Sequence, residues 1–325
     1  MKLQQLRYLV AIVDSGLNIS AAAEKLHTSQ PGVSRQIKLL EDELGFELFL
    51  REGRALTRLT QSGVRVVERA QRILREAQAI KGMSLDVRDE QRGTLSIATT
   101  HTQARYVLPP VIQKFREKYP KVRLHLHQGT SEQIADMVNS EHVDMAIATG
   151  SREQFPNCVL LPCYEWYRRI VVPTAHPLAR ARQVSIEKLA GYPIVTYVFS
   201  LTGPSSLPAA FQRAGLEPDI ALTARDADVV KTYVRLGLGV GIVAAMAIDP
   251  TEDADLVSID AQHLFPRHLT WIGFRRGVFL RRYAYEFMHL LAPHLDRSRI
   301  ARASQAPTQD GVDAVFADVK MPLYA

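Results

Sequence analysis

The sequence predicts a chain that is all-α in its N-terminal part and α/β in the remainder, with one long helix between the two. Apolar residues recur three and four positions apart between residues 3 and 44, which is the period of amphipathic helices. A further helical pattern covers residues 61–89. From Gly93 onward, short apolar runs alternate with helical stretches, and this alternation predicts a mostly parallel sheet.

The composition is that of a globular protein with more than one domain. At 325 residues the chain exceeds one ordinary core, and 46% hydrophobic and 23% charged residues lie in the usual globular range. No apolar run reaches the roughly 18 residues of a membrane span, and the N-terminus lacks the long apolar region of a signal peptide. We therefore expect a cytoplasmic protein.

Three helices are predicted in the first 44 residues. Asn18 or Ser20 can cap the second helix, and Ser29 can cap the third, whose first turn tolerates Pro31. The alanines at 21–23 give the second helix a small-residue face that allows a neighbour to approach closely, as a helix-turn-helix requires. The buried stripe of the third helix consists of Val33, Ile37, Leu40 and Leu44.

The outward face of the third helix has the composition of a DNA-reading surface. It carries no acid, and glutamine and arginine side chains can pair with adenine and guanine in the major groove. The predicted contacts on this helix are Ser29, Gln30, Pro31, Ser34, Arg35 and Lys38. The alternative is an ordinary three-helix bundle with a polar exterior.

The net charge of +6 permits a nucleic-acid partner without proving one. Residues 51–81 contain eight basic and three acidic residues. A solvated basic face is the alternative explanation of this local excess.

The segment AAAEKLHTSQPGVSRQIKLLEDELGFELFLREGRALTRLTQSG, residues 21–63, resembles the signature of LysR-type transcriptional regulators along almost its whole length. The motifs are AAxxL, SQPxxSRQI, LExxLGxxLFxR and LTxxG. Gly32 stands where alanine is more usual, a small-for-small exchange. The resemblance implies a winged helix-turn-helix over residues 1–60, with the wing at 45–60. Arg51 and Arg54 are then candidates for DNA-backbone or minor-groove contacts.

The helix that follows is predicted to dimerise. Its apolar residues lie four and three apart in a heptad-like seam, interrupted at Ser84, which a solitary helix would leave in water. The seam consists of Val66, Ala70, Ile73, Ala77, Ile80 and Val87. In the LysR family this linker helix, here residues 61–90, pairs with that of a second subunit and sets the spacing of two DNA-reading heads.

The C-terminal part is predicted to form two α/β lobes with a cleft between them, like the effector domain of LysR-type regulators and the periplasmic solute-binding proteins. Predicted strands lie at 94–99, 122–126, 143–148, 169–173, 194–198 and 271–274. The last strand returns the chain to the first lobe. Lobe 1 then spans 91–163 and 269–295, lobe 2 spans 164–268, and residues 296–325 form a tail of weak periodicity without a predicted function.

Three predicted strand ends are rich in hydroxyl groups. They are residues 99–103 (TTHTQ), 149–151 (TGS) and 200–203 (SLTG), and none contains an acid, a lysine or an arginine. Ligands of parallel sheets bind beyond the carboxyl ends of the strands, where hydroxyl donors and helix N-termini suit a small anion such as sulfate or a carboxylate. The alternative is that these hydroxyls only cap their own helices.

Further stretches resemble the CysB-type branch of the LysR family, the regulators of sulfur assimilation. They are TTHTQARYVLPPVI, HQGT, MAIATG, CYEWYRRIVVPTAHPL and VFSLTGP. The resemblance implies anion binding by Thr100, Thr102, Gln103, Thr149 and Thr202, with Trp166 near the cleft. It also implies acetylated serines as inducers, opposed by sulfate, thiosulfate or adenylyl sulfate.

Other patterns predict less. The glycines at 237, 239 and 241 have the wrong spacing for a dinucleotide loop and predict a tight helix-to-strand turn. His125 and His127 share a strand face without a third ligand nearby, so no metal site is predicted. Cys158 and Cys163 are interpreted as ordinary apolar residues, with a redox switch as the alternative. The sequence contains no catalytic motif, so we predict neither an enzyme nor a bound cofactor.

These features predict a transcription regulator, mainly an activator, of sulfur, cysteine or organosulfur assimilation genes. We expect it to bind double-stranded promoter DNA as a dimer or homotetramer, to respond to a small anionic effector and to contact RNA polymerase. Two alternatives stay open: a LysR-type regulator of another pathway, for example one that senses aromatic acids, and a solute-binding protein without a genetic role. A general cysteine regulator and a sulfonate-responsive relative are equally compatible with the sequence.

Overall fold

The computed structural model describes residues 1–53, 55–88, 92–150, 152–201 and 206–324. The chain divides into two compact units, Met1–Arg88 and Asp89–Ala325. Each unit contains its own apolar core. Within the described ranges, no helix combines the length and the apolar character needed to cross a lipid bilayer.

The described residues of the N-terminal unit form four helices and one hairpin. The helices are α1 (Leu3–Asp14), α2 (Ile19–Lys25), α3 (Gln30–Leu44) and α4 (Gln61–Arg88). The hairpin pairs β1 (Phe49–Glu52) antiparallel with β2 (Ala55–Leu59) and lies in the predicted wing. The first three helices, the hairpin and the start of α4 share one core, which includes Leu6, Leu9, Ile12, Val33, Ile37, Leu40, Phe49 and Val67.

Side-chain caps fix the starts of α2 and α3. Asn18 Oδ1 accepts a hydrogen bond from the N–H of Ala21 at 3.0 Å, and Ser29 Oγ accepts one from Gly32 at 3.3 Å. At its other end α3 stops at Gly45, whose φ of 76° lies in the left-handed region that glycine adopts without strain. The cap predicted at Ser29 and one of the two caps weighed for α2, Asn18, are thus observed.

The start of α4 packs tightly against the wing. Thr60 Oγ1 accepts a hydrogen bond from the N–H of Gly63 at 2.9 Å. A Cβ at Gly63 would lie 2.1 Å from the carbonyl oxygen of Leu48, so only glycine fits here without a backbone shift. This contact holds the first turn of α4 against the chain entering β1.

The predicted dimer seam on α4 divides into two parts. Ala70 is 1% exposed within its own subunit, and Val66 packs partly against the same core. Assigning Ala70 to the dimer seam was therefore wrong, because its side chain is already buried in the core of its own unit. Ile73 and Ile80 are 39% and 67% exposed, so the apolar surface that a second helix can cover begins about one turn further along.

The C-terminal unit alternates strands and helices. Its strands are β3 (Gly93–Thr99), β4 (Val122–Gln128), β5 (Met145–Thr149), β6 (Cys158–Trp166), β7 (Arg168–Pro173), β8 (Ile194–Tyr197), β9 (Ile220–Ala224), β10 (Val240–Ala244), β11 (Leu256–Asp260) and β12 (His268–Arg275). Its helices are α5 (Leu108–Lys118), α6 (Ser131–Asn139), α7 (Ile186–Ala190), α8 (Leu207–Gln212), α9 (Ala227–Arg235), α10 (Arg282–Leu291), α11 (Arg297–Gln305) and α12 (Gln309–Val315). A π-helical turn, Gln103–Val107, leads into α5.

Two five-stranded sheets define the two lobes. The first has the order β4-β3-β5-β12-β6 and the second the order β11-β7-β10-β8-β9. Both are mixed: β3 is parallel to β4 and β5, whereas β12 runs antiparallel to β5 and β6. Since β6 extends to Trp166 and β12 begins at His268, these strands cross the predicted lobe limits by up to three residues.

The tail packs on the first lobe. Its helices α11 and α12 place Ile300, Ala303, Val312 and Phe316 in the same core as the first sheet. These helices have only nine and seven residues, which is too short for the sequence to show a clear helical period.

The glycines between α9 and β10 make the predicted tight turn. Gly237 has a φ of 77°, and a Cβ at Gly239 would lie 2.3 Å from the carbonyl oxygen of Pro193. The turn brings the start of β10 directly beside β8.

Candidate DNA-reading and effector sites

The outer face of α3 carries the residues predicted to read DNA. The helix buries Val33, Ile37 and Leu40 against the core of the unit. The predicted contact residues are all exposed or half-exposed: Ser29, Gln30, Pro31, Ser34, Arg35 and Lys38. Gln30 Nε2 donates to Ser34 Oγ at 3.4 Å, while the hydroxyl of Ser29 is used as the helix cap. These six residues form a polar, basic surface that contains no acid, whereas the exposed acids Asp42 and Glu43 lie in the last turn of the helix.

The two predicted wing arginines differ. Arg51 Nη2 lies 2.8 Å from Oε2 of Glu41, so its charge is paired inside the unit. Arg54 lies outside the described residues.

The predicted effector residues meet where β3 and β5 end. These strands are parallel neighbours, and Thr149 closes β5. Trp166 Nε1 donates to Thr149 Oγ1 at 3.1 Å, and the Thr149 and Thr270 hydroxyls are 2.8 Å apart. Gln103 Nε2 donates to Thr270 Oγ1 at 3.5 Å, and its Oε1 accepts a hydrogen bond from the hydroxyl of Tyr164. Three predicted residues, Gln103, Thr149 and Trp166, thus form one hydrogen-bonded cluster.

The other predicted residues lie around this cluster. Thr102 is buried, and its polar side chain influences the pKa of Tyr197, a residue of the second lobe. Thr100 is half-buried at the end of β3. Thr202 lies outside the described residues, although Ser200, two positions earlier, is buried. In the chain Thr102 follows the end of β3, and Tyr197 is the last residue of β8.

A positive charge, absent from the predicted set, lies beside the site. Arg168 is 2% exposed, and its Nη2 lies 3.5 Å from Ser200 Oγ. Burial lowers the pKa of Arg168 to about 10, so the side chain stays charged at neutral pH. His268 stacks on Trp166 with ring centroids 4.5 Å apart. Burial, reinforced by the charge of Arg168, lowers the pKa of His268 to about 3, so this ring is neutral.

Sequence reasoning missed Tyr164, Arg168, His268 and Thr270. A signal for Thr270 existed. Because β12 runs antiparallel to β5, the first residues of β12 lie beside the carboxyl end of β5. The buried arginine had no comparable signal, because an arginine at the start of a strand is usually exposed.

Polar contacts join the two lobes next to this site. Arg105 and Tyr106 belong to the π-helical turn that begins with Gln103. Tyr106 donates to Asp228 at 2.6 Å, and Arg105 pairs with Asp228 at 3.0 Å and with Glu252 at 3.1 Å. The segment that supplies the predicted effector residue Gln103 therefore also contacts the second lobe. π-Helical turns are frequent at functional sites.

One group of potential metal ligands is present among the described residues. His101, Asp226 and Asp228 offer ligand atoms within 4.8 Å of one another. Asp228, however, already pairs with Arg105 and accepts the Tyr106 hydroxyl. A metal ion would have to displace the guanidinium, so we assign this group to the contact between the lobes.

Both cysteines are buried in β6. Cys158 packs in the core on one side of the first sheet and Cys163 in the core on the other. Burial raises the pKa of Cys158 to about 11, and it raises the pKa of Cys163 as well. Opposite orientation and protonated thiols favour the interpretation as apolar core residues.

Comparisons with known proteins match both units of the chain. Residues 3–64 match the bacterial regulatory helix-turn-helix protein of the lysR family, and residues 88–296 match the LysR substrate binding domain. The chain is 48% identical over 321 residues to the HTH-type transcriptional regulator CysB of Haemophilus influenzae, covering 99% of each chain. It is 47% identical over 301 residues to the regulator SsuR of Burkholderia cenocepacia, covering 93% of this chain and 98% of SsuR.

The C-terminal unit also resembles a solved structure. The crystal structure of the cofactor-binding domain of the Cbl transcriptional regulator matches with a TM-score of 0.61 and 42% identity, over 65% of this chain and 92% of that one.

A helix-turn-helix followed by a two-lobed ligand-binding unit defines a ligand-responsive transcription regulator rather than an enzyme. The chain belongs to the LysR family, whose members bind promoter DNA and small-molecule effectors and act as oligomers. Within that family, the regulators named CysB and SsuR are similar to this chain over nearly its full length.

Proposed function

We propose that this regulator controls genes of sulfur, cysteine or organosulfur assimilation, mainly as an activator. Support comes from its identity of 48% and 47% to CysB and SsuR regulators over nearly the whole chain. The observation that carries the effector part of the proposal is the cluster of Gln103, Thr149 and Trp166 around the Thr270 hydroxyl.

The effector in this proposal is a small anion such as sulfate or acetylserine. The binding groups are the hydroxyl, amide and indole side chains of Thr100, Thr102, Gln103, Thr149, Trp166 and Thr202. Anions are stabilised by convergent hydrogen-bond donors in a partly buried site, and a nearby positive charge such as Arg168 adds to this. Ligand binding changes how the two lobes close, which alters the spacing of the DNA-reading heads.

The DNA part of the proposal uses α3 and the wing. Gln30, Ser34, Arg35 and Lys38 enter the major groove, the N-terminal turn with Ser29 and Pro31 lies against phosphate, and Arg51 and Arg54 approach the backbone. Two subunits pair through α4, where Ile73 and Ile80 are exposed and Ala77 is half-buried, and two dimers form a homotetramer that contacts RNA polymerase at the promoter.

Gel-shift titration with a promoter fragment tests the DNA contacts. Arg35→Ala is expected to weaken specific binding at least tenfold, about the value of one bidentate base contact. Arg7→Ala, which removes an exposed arginine from α1, serves as the control and is expected to bind like the wild type. Unchanged affinity of Arg35→Ala at moderate salt would contradict this docking.

Calorimetry tests the effector. The wild-type protein is titrated with sulfate and acetylserine, and in parallel with benzoate and muconate as probes of an aromatic-acid sensor. Thr100→Ala is expected to weaken sulfate binding, whereas the control Thr223→Ala, on an exposed position of β9, is not. Binding of the aromatic acids alone would reject the sulfur assignment, and equal sulfate affinity of Thr100→Ala would reject the site.

A further inference from the structure

The outer edge of the first sheet is covered by the C-terminal tail and the residues just before it. β6 is the last strand of that sheet, so one row of its backbone donors and acceptors faces away from the sheet. The side-chain amide of Gln309 accepts from the N–H of Leu160 at 3.1 Å and donates to its carbonyl at 2.9 Å. His294 Nε2 lies 2.8 Å from the carbonyl oxygen of Pro162. Side chains thus satisfy the outward-facing backbone groups in the middle of β6.

Residues 322–324 cover the next part of the β6 edge, close to the proposed effector site. The N–H of Glu165 donates to the carbonyl of Pro322 at 2.9 Å, and the N–H of Tyr324 donates to the carbonyl of Glu165 at 2.8 Å. Together these bonds form a parallel bridge between Glu165 and Leu323. The tail therefore adds a short extended segment beside Glu165, whose neighbours in the chain are Tyr164 and Trp166.

The strand is irregular at this point. Tyr164 lies opposite Thr270, and the next paired residue of β6 is Pro162, so Cys163 is the extra residue of a β-bulge. A bulge disrupts the ladder locally and re-aims the side chains beside it. The ring of Tyr324 lies against that of Tyr164, with centroids 5.0 Å apart and an interplanar angle of 41°. Tyr324 thus supports Tyr164 where the ladder supports it least.

Tyr164 in turn orients a predicted effector residue. Its hydroxyl donates to Oε1 of Gln103, and Nε2 of Gln103 points to Thr270. Tyr164 is 1% exposed, and burial raises the pKa of its phenol, so the hydroxyl remains a hydrogen-bond donor at neutral pH. Because Oε1 is held by a donor, the NH₂ end of the Gln103 amide is the one presented to the cluster.

We propose that residues 322–324 tune the effector site: Tyr324 holds the ring of Tyr164, and Tyr164 fixes the amide of Gln103. Tyr324 is a positioning residue that touches no ligand. Without its ring, Tyr164 gains rotational freedom and its hydrogen bond to Gln103 forms for less of the time, which lowers effector affinity. The proposal rests on the effector site proposed above.

Sulfate titration of the full-length protein by calorimetry tests the coupling. Tyr324→Ala is expected to weaken sulfate binding about fivefold, the size of one lost hydrogen bond. Tyr324→Phe keeps the ring, and Leu323→Ala removes an exposed side chain while keeping the backbone bridge, so both are expected to bind like the wild type. Recovery of affinity in Tyr324→Phe separates positioning by the ring from general loss of structure.

A double-variant cycle tests the route. Tyr164→Phe removes the hydroxyl and is expected to weaken binding about fivefold by itself. Adding Tyr324→Ala to Tyr164→Phe is expected to cause no further loss of sulfate affinity, because Tyr324 acts through that hydroxyl. Wild-type affinity of Tyr324→Ala, or additive losses in the double variant, would overturn the proposal.

A ligand-free measurement separates this inference from the proposed effector. The chain has two tryptophans, so protein labelled with 5-fluorotryptophan gives two ¹⁹F resonances, which Trp166→Phe assigns. Trp166 is hydrogen-bonded to Thr149, and Tyr324→Ala is expected to shift its resonance while Leu323→Ala is not. A shift in a protein that binds no sulfate would reject the effector and keep the coupling. If the Trp166 resonance is unshifted in Tyr324→Ala, the coupling between Tyr324 and the site is rejected, whether or not sulfate binds.

Discussion

Arg51 of the wing and Glu41 of α3 are joined across 2.8 Å, between Nη2 and Oε2. The other oxygen of the same carboxylate accepts hydrogen bonds from the N–H groups of Leu48 and Phe49, at 2.8 and 3.3 Å. Glu41 is only 8% exposed. One buried carboxylate therefore anchors the start of the wing to the helix that is proposed to read DNA.

Replacement of Glu41 by alanine is expected to loosen the wing. Two backbone donors would lose their acceptor, which costs about 2–3 kcal/mol in the free energy of unfolding. Glu41→Gln keeps one acceptor and is expected to lose about half as much. The exposed Glu43→Ala is the control.

Urea denaturation of the full-length chain distinguishes the two units in this experiment. Both tryptophans, Trp166 and Trp271, lie in the C-terminal unit, so their fluorescence reports that unit, whereas far-UV circular dichroism reports both. Glu41→Ala should lower the circular-dichroism midpoint while the fluorescence midpoint is unchanged. A shift of both midpoints, or of neither, would contradict the local role of Glu41.

Thr270 is expected to be as important for the effector as the residues predicted from sequence. Its hydroxyl joins Gln103 to Thr149, so Thr270→Val keeps the shape of the side chain and removes the link. We expect sulfate binding to weaken about tenfold in calorimetry. Thr196→Val, which removes another buried hydroxyl that bonds the Ile242 carbonyl, is the matched control and should retain sulfate binding.

Local signals made much of the N-terminal unit predictable. Ser29 acts on its own helix within three residues, and Gly45 ends α3 through its own φ. Such features depend on near neighbours in sequence, which a single sequence displays directly. The strands β3, β4, β5, β7, β8 and β12 were also recognisable as short apolar runs, whereas β6, β9 and β11 were not predicted.

The remaining features depend on residues far apart in sequence. Thr270 reaches Thr149 over 121 positions, and Tyr164 reaches Gln103 over 61. Ala70 fits a heptad seam by spacing, yet it is buried in the core of its own unit, and spacing alone does not distinguish a core position from a seam position. The tail was unreadable because its two helices are short and find their partners only on the folded first lobe.

The cysteines are expected to be inert in the folded protein. Burial raises the pKa of both thiols, and the thiolate is the reactive form. Ellman's reagent should therefore label Cys158 and Cys163 only after denaturation. The double variant Cys158→Ala/Cys163→Ala should bind promoter DNA equally well before and after treatment with peroxide. A peroxide response of the wild type that the double variant lacks would restore the redox switch.

His268 should make the C-terminal unit sensitive to acid. Its pKa is lowered to about 3 in the folded protein, while an unfolded chain keeps a histidine pKa near 6.5. Between these values the unfolded state binds more protons than the folded state, so stability falls as the pH falls from 6.5 toward 3. Through this group the free energy of unfolding is about 2 kcal/mol lower at pH 5 than at pH 7.5.

His268→Phe keeps an aromatic ring against Trp166 and removes the proton-binding group. The variant should therefore lose about 2 kcal/mol less of its unfolding free energy than the wild type when the pH is lowered from 7.5 to 5, measured by urea denaturation with circular dichroism. His289→Phe alters an exposed ring on α10 and should retain the wild-type pH dependence. If His268→Phe and the wild type lose equal stability over this range, the ring of His268 is not held neutral beside Trp166 and Arg168, and it is then free to contribute a positive charge to the effector site.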